Sequence, residues 1–392
     1  VRFGEEELVM RRRPEWAIGA WDGDNEYYDD FAATSGVELR SRRPGAMGRP
    51  ADRRLSRAIY ADSMSSITHR TVEANGLSVH LAEMGEGPLV LFCHGFPESW
   101  YSWRHQLPAV ASAGYHAVAM DMRGYGGTSK PAEISAYSLS ELIGDVVGVV
   151  AALGEQQAVV VGHDWGAPVA WYSALMRPDV FRAVAAMSVP FTPPFGAMPE
   201  GVTISDVSRM VAGDRNYYRL YFQEPGLAEA ELEADVRRSV VGFLYGVSGD
   251  IVTDGLATEG ADGHFPAGET FIEQFVMPGR LPSWLTEADV DFYVGELSRS
   301  GFRGGLNWYR NIDLLPSILA PFFGATIRQP VCYLAGEHDL IAGNTPEALD
   351  GMRQVLPDLR EFEVFAGAGH WIQQERAEQV SEILVRFLRS LD

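Results

Sequence analysis

An α/β architecture, with a mostly parallel central sheet flanked by helices and an inserted helical segment, is predicted by three features of the sequence. Short apolar runs of strand length alternate with helix-periodic segments between residues 66 and 191. The same alternation resumes over 328–392, and between these two stretches the strand signal disappears. With 392 residues and 46% hydrophobic content, the chain can bury a large core, as one big α/β unit or as two domains.

The first 65 residues are mixed in charge, with acids at 5–7 and arginines at 11–13, and show little sustained periodicity. They are expected to be a disordered or spurious extension with no catalytic role, and the natural start is expected near Met64, just ahead of the first clear strand pattern. Alternation over 67–74 and 77–83 brackets Asn75-Gly76, a strong turn dipeptide, so a hairpin opens the core. The apolar runs at 88–93, 116–120, 158–161, 183–187 and 331–334 read as buried parallel strands, with a further strand-like run at 362–365. Helical patterns at 100–113, 139–153, 167–177, 345–356 and 376–388 separate or follow them. Parallel strands need crossover connections, so this order implies helices on both faces of the sheet. Residues 66–191 and 328–392 are then two parts of one core, and 192–327, rich in aromatics and acids, form a helical cap inserted after a strand.

The 53 acidic against 32 basic side chains leave a formal net charge of −21, which opposes adsorption to nucleic acid or anionic membranes. Cys93 and Cys332 both lie in strand-like apolar runs and read as buried thiols of a reducing compartment. No stretch approaches the roughly 20 apolar residues of a membrane span, and the amino terminus lacks a signal-peptide layout, so the expected location is cytoplasmic.

The run 158–161 breaks at Gly162-His163-Asp164-Trp165-Gly166 before helical periodicity begins. An aspartate ahead of a helix is also a favoured N-cap. Here small residues on both sides, a strand before and a helix after match a nucleophile elbow, with a carboxylate where serine commonly stands. That substitution selects the chemistry. A serine attacking an alkyl carbon would leave an ether, whereas a carboxylate leaves an ester that water can cleave. The expected electrophile is therefore an sp3 carbon.

His94-Gly95-Phe96-Pro97 follows the strand 88–93, at the end where ligand sites of open α/β sheets gather. The backbone N–H groups of Phe96 and Trp165 are candidates for an oxyanion hole, and His94 is read as structural. His370, after Gly367-Ala368-Gly369 on a loop ahead of the last helix, is the candidate base, because imidazole titrates near neutrality. Asp339 is the candidate acid that orients it. Glu337 competes locally, but Asp339 lies farther along the loop and precedes apolar Leu340-Ile341; the region after Ser188 offers no acid.

Four motifs in order, HGFPESW (94–100), RGYGGTSK (123–130), GHDWGA (162–167) and GHWIQQE (369–375), resemble those of the epoxide hydrolases of the α/β-hydrolase fold. YFQEPG (221–226) and GFRGGLNWYRN (301–311) strengthen the likeness, which covers nearly all of the chain after the amino-terminal segment. The chain is similar to bacterial stand-alone enzymes and to the hydrolase domain of the mammalian soluble enzyme, without room for the latter's phosphatase domain. The resemblance implies two cap tyrosines that donate hydrogen bonds to the epoxide oxygen, and it maps them onto Tyr218 and Tyr309. Tyr217 and Tyr221 compete with the first.

These readings converge on conversion of an epoxide to a vicinal diol through an ester on Asp164, cleaved by water that His370 and Asp339 activate. The expected partners are a small-molecule epoxide and water, with a homodimer left open. Neither a cofactor nor a metal is expected, because Gly124-Tyr125-Gly126-Gly127 lacks dinucleotide-fingerprint spacing and no metal-ligand spacing occurs. A dehalogenase with the same triad is the alternative; a serine-type esterase lacks its serine, and a noncatalytic receptor would not need every one of these residues. Phe96, Trp165, Phe191 and Trp308 are expected to line a pocket suited to aryl or alkyl epoxides.

Overall fold

The computed structural model describes residues 67–194, 198–257 and 262–392. The expectations for residues 1–65, including a start near Met64, lie outside the described residues. Strands β1 (Thr68–Ala74) and β2 (Leu77–Met84) form the predicted hairpin, with Asn75 and Gly76 both at positive φ in its turn. β3 (Leu89–Cys93) follows. The helical pattern over 100–113 is divided, into a 3-10 turn at Trp100–Trp103 and helix α1 (Gln106–Ser112). Pro108 explains the break: lacking an N–H, it fits only the first turn of a helix, so α1 starts just before it. Next come β4 (His116–Met120), α2 (Leu139–Ala152), β5 (Ala158–His163), α3 (Gly166–Met176) and β6 (Phe181–Met187).

After β6 the chain leaves the sheet for a largely helical insertion. Its main elements are α4 (Ile204–Ala212), α5 (Leu227–Ala234), α6 (Val236–Gly246), α7 (Glu287–Ser300) and α8 (Arg303–Tyr309). Thr203 with Asp206 and Thr286 with Asp289 build capping boxes that start α4 and α7. A two-residue ladder pairs Asn216–Tyr217 with His264–Phe265, a small exception to the expected absence of strands. The chain then returns through β7 (Val331–Gly336), α9 (Pro346–Val355), β8 (Leu359–Phe365) and α10 (Ala377–Arg389). Among the described residues no helix is long and apolar enough to cross a membrane.

The main sheet runs β1-β2-β4-β3-β5-β6-β7-β8 and is parallel except for the pairings of β2 with β1 and β4. Its central strands are buried on both faces, as their unbroken apolar runs require. Leu89, Leu91 and Cys93 point to the side covered by α2 and α3, and Val90 and Phe92 to the side covered by α1 and α10. Cys93 and Cys332 lie on opposite faces as buried free thiols.

This order also decides where a site can form. β3 sits between β4 and β5, so the chain leaves β3 toward one side of the sheet and returns on the other. The crevice lies beyond the carboxyl ends of adjacent β3 and β5, where connections diverge. The segments leaving those ends carry Phe96 and Asp164.

Candidate active site

Asp164 directly follows β5 and has φ 51, the left-handed backbone of a sharp strand-to-helix turn. Such a turn needs backbones in contact: a Cβ on Gly162 would overlap the Gly166 carbonyl, and one on Gly95 would overlap the Asp164 carboxylate. The glycines therefore let the HGFP loop close on the Asp164 carboxylate. Phe96 N–H donates to Asp164 Oδ1 at 2.7 Å. The Trp165 amide, the other expected oxyanion donor, makes no hydrogen bond to this carboxylate among the described residues.

His370 reaches the site from the loop after β8. Its Nε2 lies 3.6 Å from Asp164 Oδ2, an ion-pair distance beyond hydrogen-bond range, and its Nδ1 lies 3.1 Å from Asp339 Oδ1. Asp339 stands on the turn after β7 and is buried, whereas Glu337 is exposed and accepts the Gly367 N–H at 2.9 Å. The two acids of one short loop thus meet different partners, and only Asp339 meets His370.

Burial opposes charge at all three groups, yet their mutual proximity outweighs it. It would lower the His370 pKa, but Asp339 and then Asp164 lift it to about 10. It would raise both carboxyls, but His370 holds Asp164 and Asp339 below the ordinary range. The resting site is then an imidazolium between two carboxylates. Its linkage sign follows: a pKa raised on folding contributes stability in full below pH about 6.5 and loses it as the pH rises through about 10. The melting-temperature gap between the parent and His370→Gln should shrink steadily from pH 7 to pH 10. A gap that stays constant would remove the imidazolium assignment.

Other groups around Asp164, His370 and Asp339 were given no role from the sequence. Ser188, at φ 72 just after β6, places Oγ 3.0 Å from His370 Nδ1. His163 Nε2 donates to the His370 carbonyl at 2.8 Å, and its Nδ1 lies 2.9 Å from Glu98 Oε2. Glu98 also accepts the Gly95 N–H at 3.1 Å, so one buried carboxylate ties the HGFP loop to the residue before Asp164. Glu98 and His163 both sit inside the motifs 94–100 and 162–167, which was the available signal. Ser188 offered none beyond its position after β6.

The insertion supplies the remaining walls. Tyr218 opens the short helix Tyr218–Tyr221, and Tyr309 ends α8; both are buried and line one cavity with Asp164. Tyr217 instead stacks on His264, and the Tyr221 hydroxyl donates to Glu231, so neither competitor is part of the lining. Burial pushes both cavity phenols well above their usual range, with Asp164 adding to the rise at each and Arg219 opposing it. Each remains a protonated donor at neutral pH.

The expected pocket wall needs correction. Phe96 lines the cavity, but Trp165, Phe191 and Trp308 are not among its lining residues. Trp165 buttresses Tyr309 edge-on at 5.2 Å. Trp308 donates its indole N–H to the Arg123 carbonyl at 3.2 Å, joining insertion to core, and Phe191 packs on Trp171 beside the sheet. Residues adjacent in sequence to a site residue point elsewhere on a turn or helix, and these three became supports. The apolar wall comes instead from Phe222, Phe243, Phe271 and Phe275, with Trp371. Among the described residues no cluster of three or more His, Cys, Asp or Glu is arranged to hold a metal ion.

Comparison with known proteins identifies the fold and the family. The alpha/beta hydrolase fold family matches residues 88–377. Epoxide hydrolase A of Mycobacterium tuberculosis is 41% identical over 340 residues, spanning 84% of this chain and 99% of its own. Bifunctional epoxide hydrolase 2 of Sus scrofa is 38% identical over 315 residues, covering 80% of this chain and 54% of that one. The solved structure of an epoxide hydrolase from an endophytic Streptomyces matches with a TM-score of 0.77 and 47% identity, over 83% of this chain and 96% of the other. The chain belongs to the α/β hydrolase fold family, among its epoxide hydrolases.

Proposed function

We propose that this enzyme converts epoxides to vicinal diols through a covalent ester on Asp164. The observation that carries the reading is a buried aspartate at the elbow, paired with His370 and sharing one cavity with two buried phenols. Asp164 Oδ2 attacks an epoxide carbon, the ring C–O bond breaks, and its electron pair stays on the oxygen. A phenol of Tyr218 or Tyr309 supplies the proton that oxygen needs. Asp164 is then an uncharged ester, and His370 has lost one of the two carboxylates that kept it protonated. It passes its proton through water to the phenolate and becomes a base. Water gives a proton to His370 as it attacks the ester carbonyl, whose Oδ1 already lies on the Phe96 N–H. Collapse expels the ester's alkyl oxygen, which takes the proton left on the added hydroxyl, so the diol leaves and the carboxylate and imidazolium are restored.

The dehalogenase alternative uses the same aspartate and histidine, but a departing halide needs no proton. Two protonated phenols beside the nucleophile favour an oxygen leaving group. The phenylalanine-rich wall favours aryl and alkyl epoxides.

A single turnover in oxygen-18 water tests the covalent route. Label should enter the Asp164 peptide while the first diol stays unlabelled; label going directly into that diol excludes the ester. Across an epoxide panel the first step should be fastest with aryl and alkyl members, and fastest reaction of short hydrophilic ones would overturn the pocket assignment.

A further inference from the structure

Tyr218 and Tyr309 share the cavity, but their hydroxyls have different surroundings. Arg219, the next residue on the short helix Tyr218–Tyr221, donates its Nε–H to Tyr218 Oη at 2.9 Å. Its guanidinium carbon lies 5.6 Å from the Tyr218 ring centroid and 5.8 Å from that of Tyr217. Among the described residues Arg219 enters no ion pair, whereas Arg310 is committed to Glu229 at 2.8 Å. The Tyr218 ring is also held in place: its backbone N–H donates to the Gly263 carbonyl at 2.9 Å, and a Cβ on Gly263 would overlap the ring. Tyr309 is set edge-on against Phe96, Trp165 and Phe222, and its hydroxyl has no hydrogen bond among the described residues.

Guanidinium can only donate, so Tyr218 Oη must accept from it, and the phenol's own O–H is free to turn to a different acceptor. We propose that Arg219 is a positioning residue that makes Tyr218 the proton donor to the opening epoxide, leaving Tyr309 to hold the same oxygen by a hydrogen bond alone. The assignment rests on the covalent reading above. As the C–O bond breaks and its electron pair moves to oxygen, the Tyr218 proton transfers there, and the resulting phenolate accepts a charge-assisted bond from Arg219. Cation paired with phenolate is a stronger interaction than the same cation's bond to the neutral phenol, so Arg219 stabilises the transition state more than the ground state. The same cation reaches Tyr309 only through space, with no hydrogen bond to its hydroxyl, and so favours a phenolate there less.

The rate of ester formation, followed in single turnovers, should be measured for the parent, Arg219→Met, Tyr218→Phe and the double variant. Arg219→Met is expected to slow this step about 10- to 100-fold, the range of one charge-assisted hydrogen bond, with unchanged melting temperature. Arg219→Lys should recover part of the loss. In the Tyr218→Phe background the arginine change should add nothing, because the charge it would stabilise never forms. Equal losses in both backgrounds would mean a merely structural role and overturn the assignment while leaving the covalent route intact, as would Arg219→Met reacting at the parent rate. Should the parent form no ester, both fall together; should Tyr218→Phe form it at the parent rate, the Arg219 assignment falls alone.

Discussion

Asp164→Asn is expected to lower epoxide turnover by about 10⁴-fold or more, with no adduct visible by intact mass. The amide oxygen is a weak nucleophile, and the variant has no carboxylate to alkylate. Asparagine is the informative replacement for a second reason. Residue 164 has φ 51, and asparagine tolerates that left-handed backbone, so the loss can be read as chemistry and not as unfolding. Removing the charge also takes away one of the two carboxylates beside His370, which should lower that imidazole's pKa from about 10. A variant that kept turnover within tenfold of the parent would sink the covalent route and place the reacting carboxylate elsewhere.

His370→Gln should separate the two halves of the reaction. The first needs only the carboxylate and the phenols, so one equivalent of epoxide should be consumed, and the protein should gain the epoxide's mass. The second half needs a base for water, and its loss should cut steady-state turnover by about 10²- to 10⁴-fold. Tryptic mapping should find the added mass on the peptide that carries Asp164. Turnover lost with no adduct would mean that His370 is required for the first step instead. The water-activating role would then be wrong. The parent's adduct should be short-lived under the same conditions, because its base is present.

Much of the scaffold was legible because its signals are local. The strands through 117–120 and 331–334 announce themselves as unbroken apolar runs, since a parallel strand is buried on both faces. The hairpin turn at Asn75-Gly76 is legible from two residues whose backbone preferences permit it. The elbow was legible too, because a strand, a tight glycine-flanked turn and a helix are contiguous in sequence. Where boundaries moved, a local rule explains the change. Pro108 shortens a predicted 14-residue helical pattern to the seven-residue α1.

The pocket was harder to read for a different reason. Trp165 and Trp308 each adjoin a site residue, Asp164 and Tyr309 respectively, but neither turn nor helix points consecutive side chains in one direction. Both ended as supports, and the wall was built by Phe243, Phe271 and Phe275, which no motif singles out.

The sequence by itself determined the fold class, the order of its elements and which residues were candidates for nucleophile, base and acid, because those depend on local periodicity and on functional-group chemistry; the two tyrosines came only from the family resemblance. Only the tertiary structure decided that Asp339 and not Glu337 turns toward His370, that Ser188 and the Glu98–His163 pair brace the triad, and that Arg219 lies on one phenol and not the other. Those outcomes depend on the direction of single side chains. His163 meets the His370 carbonyl across 207 residues of sequence. Such a meeting is brought about by strand order and packing, which no short window of residues contains.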